Sequence, residues 1–332
     1  MTTITREKST IGRSVPIRVR GLRAWFRVTS VLAPAVAERH AATLFRTPRR
    51  RKAHHVARVP AAARRVLLAD GRQQLVGWEW GIGPKPIVLL VHGWSGLASD
   101  METIATALVG AGFRALAFDM PAHGHTPGVR TSLVEWIAAL QAIDRWTGGL
   151  AGIVGHSFGG TATTLGLEAG LSAPRAVLIS PASGPLLYVE RIRRLIGLPE
   201  ARVPGMVRRL VEQVGREIPY FDATRAATQL HQPALLLHDP ADDEVSWEGI
   251  EALAAAWRGS ELELREQLGH YRILRDPGVA ARVAEYLGPG WGQSGVRVDA
   301  PKSLIFHAQS SGRRMSARPA SPSLARGGSP RI

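Results

Sequence analysis

The stretch GHSFGG at residues 155–160 joins two segments of different character. The apolar run LAGIV at residues 150–154 comes before it and is typical of a buried strand, whereas residues 161–169 after it have a helix-like composition. Glycines stand two places before and two places after Ser157, which allows a strand and a helix to approach closely. The stretch therefore predicts a sharp strand-to-helix turn that holds Ser157 in a strained conformation with its hydroxyl exposed.

Such a turn would present Ser157 for nucleophilic attack. The backbone N–H of Phe158 and the N-terminus of the helix would point towards an oxygen bound beside the serine, where they would stabilise negative charge. A glycine-rich loop around a structural serine has the same pattern, because Gly-x-Ser-x-Gly also occurs by chance. The catalytic interpretation therefore depends on whether the other parts of a hydrolytic site are present.

A second backbone donor for such an oxyanion hole is predicted earlier in the chain. Residues 86–91, PIVLLV, form a continuous apolar run that predicts a buried parallel strand, and HGWSG follows at residues 92–96. A glycine-containing turn that leaves a strand can supply an N–H to the oxyanion. By position, the N–H of Trp94 would act together with that of Phe158, and a plain hairpin turn is the alternative.

A base and an acid that orients it are predicted downstream, since a catalytic serine needs both. The strand-like segment PALLLH at residues 233–238 leads into DPADDEV at 239–245, which contains four carboxylates, and LGH at 268–270 follows another strand-like segment. Acidic clusters are often only solvated loops, but this one follows a predicted parallel strand, where active sites gather. The chain thus contains Ser157, an acidic loop and His270 in that order.

These residues together resemble the alpha/beta-hydrolase fold superfamily, from about Leu67 to Leu287. The landmarks that carry the resemblance are HGW at 92–94, DMPAHGHT at 119–126, GHSFGG at 155–160, HDPADDEV at 238–245 and GH at 269–270. The resemblance implies that Ser157 is the nucleophile, that His270 is the base, and that the N–H groups of Trp94 and Phe158 form the oxyanion hole. It also implies a doubly wound, mostly parallel α/β sheet of about eight strands with a small helical cap.

Two residues of the acidic loop are candidates for the acid of the triad. In the superfamily this acid usually stands three residues before a hydrophobic position, and Asp242 before Val245 matches that spacing. Asp239 stands where relatives often have glycine and is the second candidate. Asp243 and Glu244 are expected to be solvated loop residues.

The other histidines of these landmarks are expected to be structural. The resemblance implies that His92 and His156 pack beneath the site. His123 and His125 have a spacing that could suggest a metal pair, but zinc sites use three or four ligands and the chain has no cysteine. Both are therefore expected in a loop near the pocket mouth, which Asp119 would hold in place. The chemistry requires no metal and no organic cofactor.

A cap is predicted between the strand-like segments 175–180 and 233–238, because about fifty residues are too many for a simple crossover. Apolar residues repeat at helical spacing in 186–196 and 206–218, and this stripe either packs in a core or lines a substrate site. Six arginines from Arg191 to Arg209 would favour anionic or thioester-linked substrates, or would form a solvated face.

The charges divide the chain into three parts. Residues 1–65 hold 16 Lys and Arg against 2 Asp and Glu, and residues 289–332 hold 7 against 1, whereas residues 66–288 hold 19 against 24. The basic charge therefore belongs to the ends, and a mildly acidic hydrolase domain is predicted at 66–288, with the cap at about 182–230. Residues 289–332 are poor in periodic apolar residues, which predicts a disordered basic tail.

The basic N-terminal extension, residues 1–65, is predicted to be partly helical. Apolar residues are distributed among its arginines in an approximately amphipathic pattern, which Pro34 interrupts. They are Trp25, Phe26, Val28, Val31, Leu32, Val36 and Leu44. Three interpretations remain: helices that pack on the core, a helix on an anionic membrane surface, or nucleic-acid binding. We favour packing and expect no nucleic-acid partner, because a basic run alone is weak evidence for one.

The sequence as a whole predicts a hydrolase that cleaves carboxylic esters or thioesters of small molecules through an acyl-enzyme on Ser157. No run approaches the length of a membrane span, and no apolar segment precedes a small-residue cleavage site. We therefore expect a cytoplasmic protein, with peripheral membrane contact through the N-terminal extension left open. The competing interpretation is a non-catalytic interaction protein that retains the fold. The oligomeric state is not indicated by the sequence.

Overall fold

The computed structural model describes residues 17–69 and 74–288, in which eight strands form one sheet. The sheet order is β1-β2-β4-β3-β5-β6-β7-β8. Strand β2 pairs antiparallel with β1 on one side and with β4 on the other, and every other neighbouring pair is parallel. The strands are β1 Ala63–Ala69, β2 Gln74–Trp80, β3 Ile87–Val91, β4 Arg114–Asp119, β5 Gly152–His156, β6 Ala176–Ile179, β7 Ala234–His238 and β8 Ser260–Leu264. This is the doubly wound α/β sheet that the sequence predicts.

The helices cover both faces of the sheet and also form a layer outside it. They are α1 Ile17–Leu32, α2 Pro34–Phe45, α3 Ala53–Val56, α4 Glu102–Gly110, α5 Leu133–Thr147, α6 Phe158–Glu168, α7 Pro185–Ile196, α8 Val203–Val214, α9 Ala223–Ala227, α10 Trp247–Ala256, α11 Gly269–Arg272 and α12 Pro277–Leu287. Side chains of β3 alternate between the two faces: Leu89 and Val91 join α5 and α6, whereas Val88 and Leu90 join α4 and α12. Both faces of the central strands are therefore buried, as expected for a parallel sheet.

The cap between β6 and β7 contains α7, α8 and α9, and it shares a separate core with the N-terminal helices. Phe26 of α1 and Ala41 of α2 are fully buried against Val189 of α7 and Met206 of α8. We call α1, α2, α7 and α8 the outer helical layer. Its apolar core is distinct from the cores on the two faces of the sheet.

The N-terminal helices pack on the cap, which confirms helical structure in this extension. Pro34 is the first residue of α2, where the missing N–H of proline is tolerated, and α1 ends before it. The expected burial of the apolar residues is only partly correct, because Val31 is 76% and Leu32 78% exposed. Both lie on the side of α1 that faces away from Phe26.

Two sequence predictions fall outside the described part of the chain: the start of the N-terminal extension, residues 1–16, and the disordered tail at 289–332. Within residues 17–69 and 74–288, no helix combines the length and the apolar character needed to cross a bilayer.

Candidate active site

The turn between β5 and α6 has the strained geometry that its glycines predict. Ser157 has φ 53° and ψ −120°, which is unusual for a residue with a side chain. A Cβ atom at Gly155 would lie 2.6 Å from Thr163 Oγ1, and one at Gly159 would collide with the carbonyl oxygens of Val91 and His92. Only glycine fits at either place, so the close approach of strand and helix fixes where Ser157 stands.

Ser157, His270 and Asp242 are connected by two hydrogen bonds. The Nε2 atom of His270 lies 2.9 Å from Ser157 Oγ, and its Nδ1 atom lies 2.7 Å from Asp242 Oδ2. The three residues follow β5, β8 and β7, whose carboxyl ends share one edge of the sheet. All three side chains are almost completely buried, so water competes little with these hydrogen bonds.

Asp242 is held in its ionised form. Burial raises the pKa of its carboxyl group, but the hydrogen bond from His270 and the backbone N–H groups of Glu244 and Val245 outweigh burial and leave the pKa below its ordinary value. The carboxylate therefore accepts from Nδ1–H of His270, which leaves Nε2 as a hydrogen-bond acceptor for the Ser157 hydroxyl.

Asp239, the second candidate acid, has a different position. Its Oδ2 accepts hydrogen bonds from the backbone N–H groups of Leu268 at 2.6 Å and Gly269 at 2.5 Å, and its Oδ1 accepts from Ala241 at 2.9 Å. These bonds tie the β7–α10 loop to the segment that carries His270. Asp239 thus holds the backbone just before His270, whereas Asp242 contacts the imidazole ring.

The turn after β3 lies directly against the nucleophile. A Cβ atom at Gly93 would lie 3.2 Å from Ser157 Cβ, so this turn can approach the serine only through a glycine. The ring of Trp94 packs edge-on against that of Phe158, with centroids 4.9 Å apart. Within the described residues, neither the Trp94 N–H nor the Phe158 N–H has a protein hydrogen-bond acceptor.

The buried histidines beneath the site are neutral. Burial lowers the pKa of His156 and of His123 to about 3 in each case. His156 Nε2 lies 2.9 Å from the carbonyl oxygen of His270, and His92 Nε2 accepts a hydrogen bond from Met120 N–H at 3.0 Å. Both residues pack beneath the site, as the resemblance implies.

His123 differs from its expected place at the pocket mouth. It is 4% exposed, and its Nε2 accepts a hydrogen bond from the N–H of Ser95, because it packs in an aromatic cluster under the turn after β3. Asp119 does hold the loop, since its carboxylate accepts from the N–H groups of Ala98 and His125, each at 2.8 Å. Among residues 17–69 and 74–288, no group of three or more His, Asp or Glu side chains is arranged to hold a metal ion.

Glu244 is not a solvated loop residue, which corrects the expectation from the sequence. Its Oε1 accepts hydrogen bonds from Arg191 of α7 at 2.6 Å and from the Tyr271 hydroxyl at 3.0 Å. Its Oε2 lies 3.7 Å from Nε2 of His270. The loop residue two places after the acid therefore reaches the site, because the cap supplies a partner that the local sequence does not reveal.

The cap contributes a second residue that the sequence did not single out. The hydroxyl of Tyr188, on α7, lies 3.4 Å from Ser157 Oγ, and its ring packs against Phe158. Burial raises the pKa of Tyr188, so its hydroxyl stays protonated. Tyr188 lies within the segment 186–196 but is not one of the apolar residues whose helical spacing was noted, and only the folded cap brings its hydroxyl to Ser157.

The cap arginines nearest the site are already paired with carboxylates. Arg191 binds Glu244, and Arg193 and Arg194 both bind Glu190, at 2.6 Å and 2.5 Å. Partial exposure makes the pairs with Glu190 weak, and this single carboxylate balances only one of the two arginine charges. Of the three, only Arg191 is paired one to one with a carboxylate, and recognition of anionic substrates by the cap arginines stays a prediction.

Comparison with solved structures finds the same fold in several hydrolases of low sequence identity. A thioesterase domain from the curacin biosynthetic pathway is 16% identical with a TM-score of 0.52, covering 68% of this chain and 99% of that domain. An esterase from Pyrococcus furiosus is 21% identical with a TM-score of 0.54, covering 73% and 95%. A monoacylglycerol lipase from Paleococcus ferrophilus is 23% identical with a TM-score of 0.51, covering 64% and 98%.

The family comparison covers the sheet from its first parallel strand and the whole candidate site. Residues 88–290, more than half of the chain, match the model of the alpha/beta hydrolase family. The match includes the turn after β3, the strained serine, the acidic loop and His270. Together with the sheet order, this shows that the chain belongs to the alpha/beta hydrolase family.

Proposed function

We propose that the protein is a serine hydrolase that cleaves carboxylic ester or thioester bonds through an acyl-enzyme on Ser157. The observation that carries this proposal is the pair of hydrogen bonds at His270: 2.9 Å from Nε2 to Ser157 Oγ and 2.7 Å from Nδ1 to Asp242 Oδ2. A nucleophile, a base and an orienting acid within hydrogen-bond reach are the minimum arrangement for this chemistry.

Acylation begins when Nε2 of His270 takes the proton of Ser157 while Oγ forms a bond to the carbonyl carbon. The carbonyl oxygen becomes an oxyanion, which the N–H groups of Trp94 and Phe158 stabilise. Asp242 stabilises the imidazolium that forms. The bond from carbon to the leaving oxygen or sulfur then breaks, and the proton on Nε2 passes to the leaving group.

Deacylation repeats these steps with water. His270 takes one proton from the water molecule as its oxygen attacks the acyl carbon, and the second tetrahedral intermediate uses the same two N–H donors. The bond from carbon to Ser157 Oγ breaks, and the proton on Nε2 returns to the serine. The products are a carboxylic acid and an alcohol or thiol.

Esters and thioesters are proposed rather than amides because their leaving groups need less help from protonation. The solved structures of similar fold include an esterase, a thioesterase domain and a lipase, and their names support the same broad class. At such low sequence identity, the similarity shows only that the fold is shared. The substrate class therefore depends on the residues of this site.

The test of the proposed function is Ser157→Ala, measured with a panel of short-chain esters and thioesters and with a fluorophosphonate probe. We expect roughly a 10⁴-fold or greater loss of turnover, no labelling, and an unchanged circular dichroism spectrum. The matched control is Ser172→Ala, because Ser172 is exposed and outside the candidate site. Full turnover in Ser157→Ala would overturn the assignment of Ser157 as the nucleophile. A wild-type chain that neither hydrolyses nor labels would favour a non-catalytic interaction protein.

We also propose that residues 66–288 form the hydrolytic domain and that α1, which precedes it, contacts an anionic membrane surface. Val28, Val31 and Leu32 are exposed by 56%, 76% and 78%, and helical periodicity places them on one side of α1. Arg20 and Arg27 are exposed at the edge of this stripe, and within the described residues neither has an acidic partner. An apolar stripe bordered by free arginines suits the boundary between lipid headgroups and acyl chains.

A further inference from the structure

The two carboxylate oxygens of Glu244 have different surroundings. Oε1 accepts hydrogen bonds from Arg191 and Tyr271, whereas Oε2 has no hydrogen-bond donor among the described residues and lies 3.7 Å from His270 Nε2. Burial raises the pKa of Glu244, but the hydrogen bonds from Arg191 and Tyr271 and the positive charge beside the carboxylate together outweigh burial and leave the pKa below its ordinary value. At neutral pH the Glu244 carboxylate is therefore ionised, and its Oε2 can still accept a hydrogen bond.

The position of Oε2 indicates which part of an ester substrate it would contact. In the proposed mechanism, Nε2 of His270 gives its proton to the leaving oxygen, which must lie within hydrogen-bond distance of Nε2. A group 3.7 Å from Nε2 is consequently within reach of the alcohol portion of an ester whose leaving oxygen contacts Nε2. The backbone N–H of Glu244 also donates to Asp242 at 2.8 Å, which fixes the loop relative to the triad.

The charge around Oε2 also restricts the alcohol portion. Arg191 balances the charge of Glu244 from the cap side, so the pair presents a hydrogen-bond acceptor without a net positive charge. An apolar alkyl group here would bury an ionised oxygen without a partner, and an anionic group would be repelled. A hydroxyl group is the neutral donor that satisfies Oε2.

We propose that Glu244 selects esters whose alcohol portion carries a second hydroxyl group, and that Oε2 accepts a hydrogen bond from that hydroxyl. This inference rests on the proposed function and specifies its substrate class as esters of short polyols. A hydroxyl on the carbon next to the ester-bearing carbon lies close enough to the leaving oxygen to reach Oε2 while the leaving oxygen contacts His270 Nε2.

The experiment compares two esters that differ only by this hydroxyl, 2-hydroxyethyl butyrate and ethyl butyrate, with the full-length protein. The measured quantity is the ratio of their kcat/KM values. We expect a ratio of roughly ten or more in the wild type, the size expected for one hydrogen bond to a charged acceptor. In Glu244→Gln, whose amide oxygen would face Arg191 and Tyr271, the amide group facing the substrate cannot accept, and the ratio should fall towards one.

Two further variants separate recognition from structure. Asp243→Asn removes the same charge from the neighbouring exposed position and should leave the ratio unchanged. Arg191→Met breaks the contact with the cap but keeps the carboxylate, so the ratio should persist even if the rate for both esters falls. A ratio lost equally in Arg191→Met and Glu244→Gln would show that Glu244 only holds the cap, and would overturn the inference.

The outcomes distinguish this inference from the proposed function. Equal hydrolysis of both esters by the wild type, abolished in Ser157→Ala, would keep the serine mechanism and refute selection by Glu244. No hydrolysis of either ester, with no probe labelling, would refute the proposed function and this inference with it.

Discussion

The carboxyl edge of the sheet and the outer helical layer hold their side chains in different ways. At the edge, Asp239 and Asp242 accept backbone N–H donors from their own loop, and Asp239 also accepts from the segment before His270. Glycines bring the chain into contact with Ser157. In the outer helical layer, the helices meet through apolar side chains, and exposed ion pairs such as that of Arg194 with Glu190 lie within a single helix. The geometry of the proposed chemistry should therefore depend on a few backbone contacts, whereas the layer over it should tolerate change at its surface.

The largest expected effect separates the two acids at the edge of the sheet. Asp242→Asn should lower kcat/KM by about 10³–10⁴-fold, because an amide cannot fix the His270 tautomer or stabilise its imidazolium. Asp239→Asn should retain far more activity but lower the free energy of unfolding, since Asp239 holds backbone N–H groups. Steady-state kinetics and urea unfolding on both variants test this, and the reverse order of activities would make Asp239 the acid.

The next effect compares two positions on α1. Phe26→Ala should lower the free energy of unfolding by about 3–5 kcal/mol, because Phe26 is fully buried in the core of the outer helical layer. Val31→Ala, at a residue 76% exposed, is the matched control and should stay within about 0.5 kcal/mol of the wild type. Equal unfolding free energies for the two variants would contradict packing of α1 on the cap.

The histidines beneath the site predict how stability depends on pH. The folded-state pKa of His123 and of His156 is about 3, below the unfolded value near 6.5, so the folded state binds fewer protons between these values. Stability should therefore fall as the pH is lowered through this range, by about 1.4 kcal/mol per pH unit for each histidine. Urea midpoints at pH 7, 6 and 5 measure this, and equal midpoints would exclude neutral buried histidines.

The smallest effect tests membrane contact by the exposed stripe of α1. Arg27→Gln should weaken binding to vesicles containing phosphatidylserine roughly fivefold, the change expected from about 1 kcal/mol per basic residue near an anionic surface. The control is Arg258→Gln, because Arg258 is exposed but follows α10 on the hydrolytic domain. Cosedimentation at low and high salt measures the effect. If the wild-type protein does not bind anionic vesicles at low salt, the proposal that this stripe contacts a membrane is wrong.

The edge of the sheet was largely predictable because its signals are local. Apolar runs identified β3, β5 and β7, and the glycine spacing at 155–160 identified the strained turn. The preference for Asp242 over Asp239 as the candidate acid came from the resemblance. Its physical basis in the structure is the contact of Asp242 with His270. The strands and the turn depend on residues close together in the chain, whereas the contact of Asp242 with His270 joins two loops.

The cap side of the site could not be predicted in this way. Glu244 reaches the site because Arg191, more than fifty positions earlier, faces it from α7. Tyr188 lies over Ser157 only because the cap folds onto the sheet, and nothing in its helical spacing distinguishes it from a core residue. The exposure of Val31 and Leu32 depends likewise on which side of α1 meets the cap.

The positive φ angle of Ser157 also affects how the protein would respond to selection for stability. A residue with a side chain in such a conformation costs about 1–3 kcal/mol, and glycine adopts it without that cost. A library screened only for heat resistance would therefore tolerate or favour replacement of Ser157 by glycine, although the proposed nucleophile would be lost. Thermal tolerance and turnover compete at this one position, so engineered variants of this enzyme must be ranked by turnover as well as by melting temperature.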